Sequence, residues 1–173
     1  MYGTGKIKRE EFQMFADVGT SSESPIWEII GSGVEDMSLS LNPNVTTVTD
    51  VLGETVTALD KYEKQTDVAP MRAKRESKFF AILYDIVKNE KTLTDVERTF
   101  LCVNVFDSTV VEAATEGDED TVTYAAWTQK AVVAVQSYGG NTEGLDIPFN
   151  LHWIGQKTHG AFDPQTKTFT ADI

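Results

Sequence analysis

The chain has 173 residues and a mass of 19.1 kDa, and its 15 basic against 27 acidic side chains give a formal net charge of −12 and a pI near 4.5. That length suits a single domain, residues 1–173, and a 40% hydrophobic content supplies a core and excludes a highly charged disordered chain. So negative a surface argues against a protein that grips nucleic acid by neutralising phosphates, or that docks on an anionic membrane through a basic patch. It leaves room for a protein that DNA passes without sticking.

The first eleven residues lack the apolar core of a signal peptide. The longest apolar run, residues 131–135, falls far short of the roughly 20 residues of a membrane helix. One cysteine, Cys102, offers no intrachain disulfide, so the chain is expected to fold in a reducing interior. Charge is unevenly spread: residues 1–60 sum to −7, residues 61–98 to +2 and residues 99–173 to −7. Opposite patches of this kind on neighbouring copies attract one another.

In chain order, residues 34–41 alternate Met37, Leu39 and Leu41 with Ser38 and Ser40, a half-buried strand. Asn42-Pro43-Asn44 opens a Val- and Thr-rich extended stretch that runs to Pro70 and is poor in large apolar residues for its length. Such a segment buries too little to hold itself down, and residues 42–70 are therefore expected to form a protruding arm that is mobile or docked on a neighbour. Residues 76–91 place Phe79, Phe80, Leu83, Ile86 and Val87 at helical spacing, with Ser77 as N-cap and Asn89 near the end. Thr94-Asp95-Val96-Glu97 reads as a turn into a strand over 98–107 that is apolar on both faces and hence central.

An acidic turn, Glu116-Gly117-Asp118-Glu119-Asp120, leads to residues 121–138, one bent strand or two. Leu145, Ile147, Phe149, Leu151 and Trp153 then alternate with polar residues and with Pro148, which lacks an N–H and is expected at a sheet edge or bulge. Residues 162–170 read as a closing hairpin around Asp163-Pro164-Gln165-Thr166. The fold class is mainly β, a sandwich or barrel with one flanking helix and a long extended arm.

Catalytic signatures are missing. Gly3-Thr4-Gly5-Lys6 lacks the spacing of a phosphate-binding loop. His152, on the alternating strand, and His159, expected in a loop, have no zinc-ligand spacing, and no GxSxG elbow occurs. Cys102 reads as a small buried hydrophobe. The acidic turn lacks the order of a calcium loop and reads as solvated. Trp27, Trp127 and Trp153 could form a sugar-stacking platform, but core packing is the favoured reading. No catalytic residue, cofactor or metal is expected.

The sequence resembles the tail tube (major tail) proteins of long-tailed bacteriophages and of related contractile particles. The resemblance runs from Trp27-Glu28-Ile29-Ile30-Gly31-Ser32-Gly33-Val34 through Leu41-Asn42-Pro43-Asn44 and the arm Asp50-Val51-Leu52-Gly53-Glu54 to Val68-Ala69-Pro70. It continues through the single helix, the strand from Phe100 to Asp107, and Ile147-Pro148-Phe149-Asn150-Leu151-His152-Trp153-Ile154-Gly155. It covers most of residues 25–170 and is one of overall pattern.

It implies a virion tail component, assembled in the bacterial host cytoplasm. β-Sandwich protomers form hexameric rings stacked head to tail, their inner sheets join into one barrel around a channel, and an arm reaches the adjacent ring. The partners implied are further copies of the chain together with tail sheath, tape measure and tail terminator proteins, with DNA passing unbound and no membrane. Asp36, Ser38, Ser40, Asp146 and Asn150 are the candidate channel-lining residues. Asn42, Pro43, Asn44, Asp50, Gly53, Lys61 and Pro70 belong to the candidate arm, and Pro148 is placed where one sheet meets its neighbour. The alternatives are the inner tube of a contractile bacteriocin or type VI-like injection particle, a carbohydrate-binding β-sandwich module, and an enzyme uniting a histidine with carboxylates.

Overall fold

A computed structural model describes residues 4–21, 24–112 and 120–172. Six strands precede the helix: β1 (Phe12–Asp17), β2 (Trp27–Ile30), β3 (Val34–Ser40), β4 (Pro43–Thr49), β5 (Thr55–Tyr62) and β6 (Gln65–Met71). After α1 (Lys78–Asn89) come β7 (Glu97–Val111), β8 (Thr121–Val135), β9 (Gly139–Asn141), β10 (Gly144–Asp146), β11 (Phe149–Asp163) and β12 (Thr168–Ala171). The main sheet is antiparallel in the order β2-β1-β7-β8-β11-β6-β3, with β12 also on β11. β4 with β5, and β9 with β10, form separate two-stranded ribbons. The expectation of a mainly β protomer with one flanking helix holds.

The central placement of β7 follows from burial of both its faces. Phe100 and Cys102 join the main core under α1, whereas Leu101 and Val103 join a second cluster with Phe15, Trp27, Ala126 and Phe162. The sheet curls strongly. Register shifts fall between Asn104 and Ser108 on β7 and between Ile154 and Thr158 on β11, and bulges of this kind bend the strands that carry them. The curl brings Phe15 of β1 within 5.2 Å (ring centroids) of Phe162 of β11, although β7 and β8 lie between those strands in the sheet order. Gln129, buried at the β11 bulge, donates to the carbonyls of Ile154 and Gly155 and accepts from the Lys64 ammonium.

Helix α1 buries Phe79, Leu83 and Ile86, the stripe its spacing predicts. Phe79 meets Phe100 and Phe149 edge-on at 5.9 and 5.4 Å. The Ser77 hydroxyl caps the helix by accepting from the Phe80 N–H at 3.0 Å. A second cap comes from far along the chain: the Glu28 carboxylate of β2 accepts from the N–H groups of Lys78 and Phe79 and from the Ser77 hydroxyl. An anion there satisfies orphan donors and faces the positive end of the helix dipole. Asn89 is the last helical residue, and Glu90 closes the helix in the left-handed region at φ 47.

Three expectations change. Residues 145–153 are not one strand, because Pro148 breaks them into β10 and β11. Its carbonyl takes the Gln136 N–H at 2.9 Å. His159 lies within β11, opposite Trp127, and not in a loop, because β11 runs on beyond its bulge. Residues 65–70 are not arm but β6, flanked by β3 and β11, with Thr66, Val68 and Met71 buried. Pro70 is tolerated there because the pairing with β11 ends at Val68. Of the two readings of 121–138, the single strand holds, and it stops at Val135. The acidic turn at 116–119 lies outside the described residues; of it only Asp120 is described.

Candidate assembly surface

The β4–β5 hairpin is exposed at every residue, unlike any other strand pair among the described residues. Val45 pairs with Leu59 and Val48 with Val56, and all four remain about half or more exposed. Between them the Thr47/Thr57 and Thr49/Thr55 hydroxyls hydrogen-bond across the strands at 3.2 and 3.1 Å. The ribbon holds itself through threonine ladders and backbone pairing, with no core of its own. At the tip the Asp50 carboxylate accepts from the N–H groups of Leu52 and Glu54 at 2.8 and 2.9 Å, and Gly53 takes φ +82. This Asx turn fixes Val51 and Leu52 outward, 101% and 83% exposed.

The root is also defined. Glu63 N–H donates to the Asn42 carbonyl and the Asn42 side-chain amide to the Glu63 carbonyl, both at 3.1 Å, with Asn42 at φ 44. Lys61 and Glu63 pair at 2.8 Å, and their hydrogen bond raises the lysine pKa and lowers that of the glutamate. Of the candidate arm residues, Asn42, Pro43, Asn44, Asp50, Gly53 and Lys61 thus sit on the hairpin or its root, and Pro70 does not.

Four of the five candidate lining residues share one face. Asp36, Ser38 and Ser40 alternate with buried Met37 on β3. Ser38 pairs with Asp67, which pairs in turn with Asn150, and Ser40 pairs with Gln65, opposite His152. Adjacent strands thereby set Asp36, Ser38, Ser40, Gln65, Asp67, Asn150 and His152 on the side away from the helix, without a lysine or arginine among them. Gln65 and Asp67 belong to this row although the sequence reading placed them in the arm; their alternation with Thr66 and Val68 was the available signal. Asp146 stands apart on β10. It is held by Arg72 at 3.2 Å, and the same guanidinium reaches Glu143 at 2.9 Å.

At the other end of the β6–β11 pairing from the hairpin root lies an open groove of about 590 Å³. Its walls include Ile86, Val87, Leu93, Val132, Val135 and Tyr138. Leu93 is 83% exposed and sits at φ 55, a left-handed conformation that a leucine adopts at a cost. Tyr138 is half exposed and meets Tyr84 of α1 at 5.9 Å.

The remaining chemistry-bearing residues do not converge. His152 and His159 pair with Val132 and Trp127 of β8, an odd spacing that sets them on opposite faces. Trp27 and Trp153 are buried in different clusters, and Trp153 donates its ring N–H to Thr66 at 3.0 Å, so no sugar platform forms. Trp127 stacks on Phe12 and carries the Lys157 ammonium 4.0 Å from its ring centroid. Burial, and then the charge of Lys64, hold that lysine below its ordinary range. Cys102 is fully buried, and desolvation pushes its thiol up to about 12. Among the described residues no group of His, Cys, Asp and Glu is placed to hold a metal, and no helix is long and apolar enough to cross a membrane.

No protein-family model matches the chain, and no curated protein matches it.

Proposed function

We propose that this chain is a structural subunit that assembles with copies of itself into a tube, the tail tube of a bacteriophage, in which stacked hexameric rings enclose the channel for genome delivery. The observation that carries the reading is the hairpin from Pro43 to Tyr62. It is exposed throughout and presents Val45, Val48, Val51, Leu52, Val56 and Leu59 to solvent. A monomer gains nothing from such a ribbon, whereas a neighbouring copy that covers it removes both the apolar surface and the open strand edges. A projection on one side that fits a different surface of the next copy is a heterologous contact, and a heterologous contact that does not close generates a filament.

The charge supports the same reading. The polar face built on Asp36, Ser38, Ser40 and Asn150, with Asp67 and Gln65, is the surface we assign to the channel. DNA carries a charge about every 1.7 Å of its axis, and a lining of carboxylates and neutral polar groups repels the phosphates and lets the duplex slide. Asp146, tied into the Arg72 pair, has no part in that lining. Sheath, tape measure and terminator proteins are the further partners of such a tube, in the virion tail. Sedimentation velocity over a hundredfold concentration range tests self-association: large species that grow with concentration are expected, and a single monomer boundary throughout contradicts the proposal.

A further inference from the structure

We infer that the groove beside the end of α1 is the seat for the hairpin tip of a second copy, with Val51 and Leu52 entering between Leu93 and Tyr138. This rests on the self-assembly reading and names the surface that receives the hairpin. The two parts match in chemistry. The tip offers two fully presented aliphatic side chains, and the groove offers apolar walls from Ile86, Val87, Val132 and Val135 with room to admit them. A strained leucine held 83% exposed at the lip is explicable if that side chain has a partner in the assembled state.

Size favours a second copy as the occupant. A stable interface draws on roughly 20–30 residues a side, and the hairpin from Pro43 to Tyr62 supplies 20 exposed residues. The two surfaces also lie at different places on the protomer. The hairpin leaves the sheet past the Ser40–Gln65 pair, whereas the groove lies past the Phe149–Val135 pair. One copy can therefore give its tip to a second while receiving that of a third.

Cysteine pairing tests this, because Cys102 is buried and does not compete. Leu52→Cys with Tyr138→Cys is oxidised under mild conditions and run on a non-reducing gel, each single variant serving as control. Both sites are exposed, so thermal melts matching the native chain are expected. The inference predicts a ladder of covalent multimers from the double variant, with single variants stopping at dimer. It also predicts that Leu93→Ser raises the concentration needed for assembly at least tenfold. If the double variant sediments as large assemblies yet shows no ladder beyond the single variants, the groove is not the seat, while self-assembly stands. If it remains monomeric, as the native chain then also does, both fall.

Discussion

Replacing Pro43–Tyr62 by a four-residue Gly/Ser turn between Asn42 and Glu63 separates what the hairpin does for the protomer from what it does for the assembly. Every residue removed is exposed, so no core contact is lost. The root residues already exchange two hydrogen bonds of 3.1 Å and are close enough to be joined. Shortening the connection from 20 residues to 4 lowers its closure cost by about 1.4 kcal/mol, set against the hairpin's own ladder. The truncated domain should therefore unfold within about 1.5 kcal/mol of the full chain, a Tm change of roughly 5 °C or less for a domain of this size. Thermal melting followed by circular dichroism reads that term, and sedimentation velocity reads assembly, which should be abolished. A fall in stability of more than about 3 kcal/mol, beyond the range of surface changes, would refute the claim that the hairpin is energetically separate from the fold. Assembly of the truncated chain at the native concentration would refute its role as a connector.

Glu28→Ala should destabilise the domain by about 1–2 kcal/mol, because the charged cap on three donors at the start of α1 is lost; a urea titration should show a lower midpoint with an unchanged slope, and an unchanged midpoint contradicts the cap. Asp85, held below its ordinary pKa chiefly by the Lys91 hydrogen bond, and Asp163, held below it by Thr166 and the Gln165 N–H, both titrate lower in the folded chain than in the unfolded one. Their stabilising contribution is therefore complete above the ordinary aspartate value of 3.8 and is lost as pH falls through their folded values; the Asp85→Asn, Asp163→Asn pair should flatten the acid limb of stability against pH, and an unaltered limb contradicts this. Cys102 should resist a thiol reagent at pH 8 in the native chain and react fully in guanidinium; rapid native labelling contradicts its burial.

The parts of the fold legible in the sequence are those with one buried face. Met37 and Leu39 against Ser38 and Ser40, and Phe149, Leu151 and Trp153 against Asn150 and His152, alternate because the sheet there has a core side and a solvent side. The helix was legible for the same reason at its own period. Where both faces are covered, alternation vanishes: Met14, Phe15 and Ala16 of β1 are buried in succession between the two clusters, and no pattern marks that strand. β6 was hidden by Pro70 and by its continuity with a threonine-rich hairpin. Its Thr66 reads as surface but is buried as the acceptor for Trp153.

At the candidate surface, the hairpin was legible as an apolar-poor stretch between turn signals, and the shared face of Asp36, Ser38, Ser40 and Asn150 follows from their strand positions. Asp146 went astray because the alternation appeared to continue through Pro148, which in fact ends one ribbon before the next strand begins. The groove had no signal of its own, since its walls come from α1, the turn at Leu93 and the end of β8, which only the fold brings together. Glu28 was likewise unreadable as a cap, being about fifty residues from the helix start it serves.

Negative-stain electron microscopy of the concentrated protein tests the central claim most directly. The account predicts tubes with a central channel and a regular axial repeat, sixfold in end-on views, that disappear when the hairpin is truncated. Isolated globular particles, without rings or tubes at any concentration or salt, would contradict it.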